Sequence, residues 1–222
     1  MKSIEFLFEA LIDPKIKKTL VDKGYKYLGS GADQMAFLEP GTGLVFKLFG
    51  TEKVSNPNQL TDAQKSFKTF YELCHSDPSN EFLPNIVEYE TFVFKGKPYL
   101  QIRMERLFEF KGREISHWNK LLARMADSIS INQTFEQFWD KAITPITTTD
   151  YFSKIYYSRL QDSMHQLIIH LGEEGLHKLW DTIGMLKKVA YKNGYSLDLH
   201  SGNFMLGSDG TPVISDPFYM GT

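Results

Sequence analysis

Asp198, Asn203 and Asp216 are the side chains in this sequence best suited by type and spacing to do chemistry. Asp198 and Asn203 stand five positions apart, and Asp216 follows Asn203 by thirteen. Short apolar segments at 204–206 and 212–214 flank a turn at 207–210. This pattern predicts a loop, a hairpin, and an acid at the hairpin's far end. Strand pairing then returns Asp216 to the neighbourhood of Asn203. One amide oxygen and one carboxylate face the same point, and hard oxygens suit magnesium. Asp198 stands at the start of the loop, where a base could meet a hydroxyl. Taken alone, an Asp-x4-Asn pair more often only caps a turn.

A distant lysine changes that balance. Lys47 sits inside the apolar run 44–49, which reads as a strand. A lysine there needs an anionic partner, because an isolated ammonium is costly to desolvate. Upstream, residues 25–28 read as a strand, Gly29-Ser30-Gly31 as a turn, 34–38 as a second strand and 39–43 as another turn. Glycines let backbone amides approach phosphate oxygens closely. A dinucleotide-binding fingerprint is ruled out, since no third glycine opens a helix after the first strand. A helix follows from Thr61 or Asp62, either of which could cap it, through Cys74. Glu72 on that helix is the expected partner of Lys47, although helix glutamates are more often solvated.

The remaining elements divide into two groups. Residues 85–94 and 99–107 read as a hairpin, completing a sheet of about five strands with one helix. Residues 1–23 read as an N-terminal helix that packs on this sheet, with a break at Asp13-Pro14. Residues 108–113 form a connector. Beyond it, 115–131, a short segment around Phe135, Phe138 and Trp139, then 151–171 and 173–192 read as helices, with a polar loop at 144–149 and Gly172 between the last two. The aromatic and methionine stripes of these helices read as core. His165, His170 and His177 lack the spacing and cysteine company of a metal set. The expected fold class is α+β, in two parts, 1–107 and 108–222, forming one domain.

Composition narrows the functions. An apolar fraction of 42% in 222 residues supports a real core. A net charge of −2 without a long basic run excludes a nucleic-acid footprint. The single cysteine, Cys74, rules out an internal disulfide and suits a reducing cytoplasm. No apolar run approaches the ~20 residues that cross a bilayer, and Glu5 and Glu9 interrupt the N-terminal stretch, so neither a membrane span nor a leader is expected.

A strand-rich part with a glycine turn and a strand lysine, a connector, a helical part, then Asp-x4-Asn and a later Asp: this order resembles the protein-kinase-like fold. Asp198-Leu-His-Ser-Gly-Asn203 looks like the catalytic loop of aminoglycoside phosphotransferases. The longer run through Thr211-Pro-Val-Ile-Ser-Asp-Pro217, with Tyr27-Leu-Gly-Ser-Gly31, is similar to the serine/threonine kinases that short-tailed bacteriophages make early in infection. The resemblance implies two lobes, 1–107 and 108–222, with ATP and Mg²⁺ bound between them. It implies Asp198 as the base, Asn203 and Asp216 as magnesium ligands, and Lys47 on the α- and β-phosphates with Glu72 fixing it. Gly29, Ser30 and Gly31 would cover the phosphates. Glu105 and Leu107 would meet adenine through backbone groups, behind Met104. His200 would stand near the γ-phosphate.

This sequence also departs from that family. Ser196 and Leu197 replace the usual His-Arg, Gln34 replaces a third glycine, and Pro217-Phe218 replaces Phe-Gly. Six residues follow Asp216 in this sequence, so no activation loop, Ala-Pro-Glu segment or later helix is expected from it. Regulation by activation-loop phosphorylation is therefore not expected, and the usual peptide platform is missing. The leading expectation is a kinase acting on Ser/Thr hydroxyls of host proteins and of itself, in a host cytoplasm. The alternatives are a kinase for a small molecule, a pseudokinase that inhibits a host protein by binding it, and adenylyl transfer.

Overall fold

A computed structural model of the chain describes residues 12–30, 34–50, 60–94, 97–110, 114–130, 132–143, 151–199 and 201–219. Residues 1–11, the connector positions 111–113 and the loop 144–149 therefore lie outside the described residues.

One antiparallel sheet takes the order β1-β2-β3-β5-β4. Its strands are β1 Lys26–Ser30, β2 Gln34–Leu38, β3 Val45–Phe49, β4 Ile86–Phe94 and β5 Lys97–Met104. Side chains alternate between two covered faces, which explains why β3 reads as nearly continuous apolar sequence. Met35, Phe37, Phe46, Leu48 and Tyr99 fill one face, under helix α1 Pro14–Asp22 with Ile12, Ile16 and Leu20. That helix starts where the sequence breaks: Asp13 accepts a hydrogen bond from the Lys15 amide at 2.9 Å, and Pro14 occupies the first turn.

Helix α2 Asp62–Ser76 covers the other face. Thr61, rather than Asp62, is its cap, in a reciprocal capping box with Gln64. Phe67, Phe70 and Cys74 form its buried stripe at helical spacing, against Phe49, Leu100 and Ile102. Burial pushes the Cys74 thiol up, which leaves it an inert core residue.

The second group of elements is helical: α3 Glu114–Ser130, α4 Phe135–Ile143 and α5 Tyr151–Asn193. Helix α5 is interrupted at Gly172, whose φ of 69° is a conformation other residues rarely adopt. Leu121, Leu122 and Met125 of α3 meet Leu176, Leu179, Ile183 and Leu186 of α5 in the same apolar cluster that lines the sheet's inner face. Phe110, Trp118 and Phe204 join the two, with Phe110 and Phe204 stacked at 5.6 Å between centroids. The core thus crosses the expected boundary at 107/108. Asn80 reinforces the junction, donating to Thr182 Oγ1 at 3.1 Å. Among the described residues no helix is long and apolar enough to cross a membrane.

Two small ladders follow α5. β6 Ser196–Leu197 pairs with β9 Phe218–Tyr219, and β7 Phe204–Leu206 pairs with β8 Pro212–Ile214. The β7–β8 hairpin is the one expected from the sequence. It docks on the rest through Ile214 N–H to Phe82 O at 2.9 Å and a reciprocal pair between Phe108 and Leu206 at 2.8 Å each.

Phe70 lies wholly buried where α2, the sheet and Phe218 meet. Phe70→Ala is expected to cost about 3–5 kcal/mol of stability. Val93→Ala, at a position 58% exposed, should stay within about 0.5 kcal/mol. Urea unfolding of both variants beside the parent chain measures the contrast.

Candidate functional site

The ladders decide where the acids go. The β6–β9 register sets Leu197 opposite Phe218, which brings Asp198 beside Pro217; the Asp198 N–H donates to Pro217 O at 2.7 Å. The β7–β8 register sets Phe204 opposite Ile214, and the Ser215 N–H donates to Asn203 O at 2.9 Å. A short 3₁₀ turn, Ser201–Asn203, links the two systems. Asp198, Asn203 and Asp216 are thus gathered at one place, as their spacing predicts. Asn203 Nδ2 donates to Asp198 O at 3.1 Å. That bond commits the amide nitrogen and turns Oδ1 the other way.

Lys47 comes to the same place from the sheet. It shares the inner face of β3 with Val45 and Phe49, opposite Ala36 and Ile102. Burial pushes its ammonium down from the ordinary lysine range, and the charge of Asp216 opposes that shift in part. Lys47 as a residue keeps a partial exposure to solvent.

Glu72 does not hold Lys47. It lies 61% exposed and sits 3.8 Å from Lys68 on its own helix. The reason is helical phase: the stripe of α2 that faces the sheet consists of Phe67, Phe70 and Cys74, and Glu72 falls off it. From α2, the Phe67 ring faces the lysine charge, its centroid 5.8 Å from Lys47 Nζ. Asp216 takes the role expected of Glu72, as the carboxylate facing the lysine.

The glycine segment is also more regular than expected. Gly29 and Ser30 belong to β1, paired with Ala36 and Met35 after a bulge, so the strand continues through what reads as a turn. Gly31 and His200 lie outside the described residues. Gln34, which opens β2, reaches across the site: its Nε2 donates to Asp216 Oδ2 at 3.4 Å. Nothing in the sequence pointed to this contact, because it spans 182 positions.

Met104 ends β5, almost wholly buried, and Glu105–Leu107 leave the sheet. The Glu105 N–H donates to Asn85 O at 3.0 Å, and Glu105 Oε1 accepts from the Asn85 N–H at 2.8 Å. Of the Glu105 backbone, only the carbonyl is therefore suited to the edge of a purine. A further unforeseen element braces the site from behind. Phe218 packs on Phe70 and Tyr195, and Tyr195 Oη lies 3.3 Å from Thr69 Oγ1 of α2.

The donor set fits a magnesium ion accompanied by a phosphate ligand. Asn203 and Asp216 offer two hard oxygens, and Lys47 adds a cation for phosphate oxygens. Among the described residues, no group of three His, Cys, Asp or Glu side chains could hold a metal by itself. Magnesium in nucleotide sites is commonly held in this way, by one or two protein groups plus phosphates. No protein-family model matches this chain, and no curated protein matches it significantly in sequence.

Two measurements follow from Lys47. A lysine with a lowered folded-state pKa binds its proton less readily than in the unfolded chain. Stability should therefore rise with pH from that lowered value towards about 10.4, and Lys47→Met should lack the rise; thermal midpoints across that window check the sign. In the phosphotransferase reading proposed below, Lys47→Met should weaken ATP binding about tenfold or more in nucleotide titrations, whereas Glu72→Gln should change it less than about twofold.

Proposed function

We propose that this chain is an ATP- and Mg²⁺-dependent phosphotransferase with a two-lobed, protein-kinase-like arrangement, acting on serine or threonine hydroxyls of proteins. The observation that carries this reading is the meeting of Lys47, from the centre of the sheet, with Asp216, beside Asn203 and Asp198. Phosphoryl transfer asks a protein for positioning and charge neutralisation more than for covalent chemistry. A strand lysine, two oxygen ligands and one separate carboxylate supply that division of labour.

In this reading Lys47 holds the α- and β-phosphates, and the Glu105 carbonyl and Leu107 amide meet adenine behind Met104. Asp198 orients the acceptor hydroxyl and takes its proton as the oxygen bonds to the γ-phosphorus. The bond from that phosphorus to the β,γ-bridging oxygen breaks, and ADP leaves. Bound magnesium, held by Asn203 and Asp216, would neutralise charge on the phosphates. The Asp198 N–H bond to Pro217 O fixes the base relative to the ligand acid, so both sit on one rigid piece of backbone. The likeness of the catalytic loop to that of phage serine/threonine kinases supports protein hydroxyls, in the host and in the chain itself, as acceptors.

Incubation with γ-labelled ATP and magnesium should place label on protein, and intact mass should rise by one phosphoryl group per site. Asp198→Ala should slow transfer by about 10²–10⁴-fold, and Asp216→Ala should abolish it. Label that persists in Asp216→Ala would remove the metal assignment. Transfer to an added aminoglycoside in place of protein would move the acceptor to a small molecule.

A further inference from the structure

Gln34 makes poor use of its carboxamide in the geometry described. Its Nε2 reaches Asp216 Oδ2 at 3.4 Å, the long edge of a hydrogen bond. Its Oε1 is buried and accepts no hydrogen bond among the described residues. A buried amide oxygen without a donor is unfavourable, and such atoms in a folded protein call for an explanation. The side chain sits on the inner face of β2, which also carries Ala36, the partner of Lys47. Gln34 as a residue stays partly exposed, although its Oε1 is buried.

Distance supplies the explanation. Magnesium holds oxygens at 2.0–2.1 Å in near-ideal octahedral geometry, so neighbouring ligands lie about 3 Å apart. The Gln34 carboxamide already stands close to that separation from Asp216 Oδ2. A half-turn about its last bond exchanges Nε2 for Oε1. The weak donor contact then becomes a pair of hard oxygens facing one point, and the orphaned acceptor gains a positive partner.

We propose that Gln34 Oε1 is a third protein ligand to the cation, joining Asn203 and Asp216 after a half-turn of its carboxamide. This rests on the phosphotransferase reading and extends it, because it assigns a metal-binding role to a strand residue of the sheet. The cation would then tie β2 directly to the segment after β8.

The test uses the full chain, saturating non-hydrolysable ATP analogue and Mn²⁺ in place of magnesium. Free Mn²⁺ is counted by its paramagnetic resonance signal, and bound Mn²⁺ is followed through water-proton relaxation. Gln34→Ala should weaken Mn²⁺ binding about tenfold. It should also raise the relaxation enhancement, because a water takes the ligand's position. Gln34→Glu should keep the wild-type enhancement and bind Mn²⁺ more tightly. Equal affinity and equal enhancement in wild type and Gln34→Ala, with binding lost in Asp216→Ala, overturn the inference and leave the phosphotransferase reading standing. A wild-type chain that binds neither Mn²⁺ nor the analogue overturns that reading, and the Gln34 ligand with it.

Discussion

A lysine ammonium on the inner face of a sheet is the constraint on which this structure turns. Lys47 has apolar neighbours along its strand, Phe67 beneath it and only partial access to water. A charge in that position is tolerated where an opposite charge faces it. Here that charge is Asp216, which comes from the other end of the chain. The long-range architecture can be read as the means of bringing the two together. The sheet presents Lys47, the shared core fixes the helices against the sheet, and two short ladders carry Asp216 to the lysine.

The aromatic stripe of α2 has a further effect. With Phe67 and Phe70 on the face that meets the sheet, this helix contributes packing where an ion pair was expected. The helix then meets the lysine through the Phe67 ring and not through a carboxylate. Phe218 strengthens this, since it is held both by β6 and by Phe70. Proline at 217 also fixes the backbone between Asp216 and that phenylalanine. The segment is built to stay in one place.

Much of this was legible in the sequence because local signals carried it. The β7–β8 hairpin, the break in α5 at Gly172, the break at Asp13-Pro14 and the lysine-bearing strand all follow from period, glycine and proline placement. The α+β class with five antiparallel strands follows from the same patterns. What escaped was set by tertiary contacts. Glu72 was a reasonable partner by type, but its helical phase was decided by which aromatics the sheet could accommodate. The Gln34–Asp216 contact joins residues 182 positions apart, and the two-residue strands β6 and β9 are too short to show any period. Gly29 and Ser30 looked like a turn because glycine usually marks one, yet pairing with β2 continued the strand through them.

The two small ladders also determine where the chain can change length. Gly207 to Gly210 connects β7 and β8 at the surface, with its own turn closed by the Gly207 N–H to Thr211 O bond at 2.7 Å. Extra residues there would lengthen a loop and leave the register of Phe204 with Ile214 intact. Between Ile214 and Phe218 there is no such freedom. Only Ser215, Asp216 and Pro217 span from one ladder to the other, and two of the three are pinned by backbone hydrogen bonds. One residue added there would turn successive side chains to opposite sides, exchanging the places of the buried Ser215 and of Asp216. Natural variation in length should therefore collect in the turn and avoid the link.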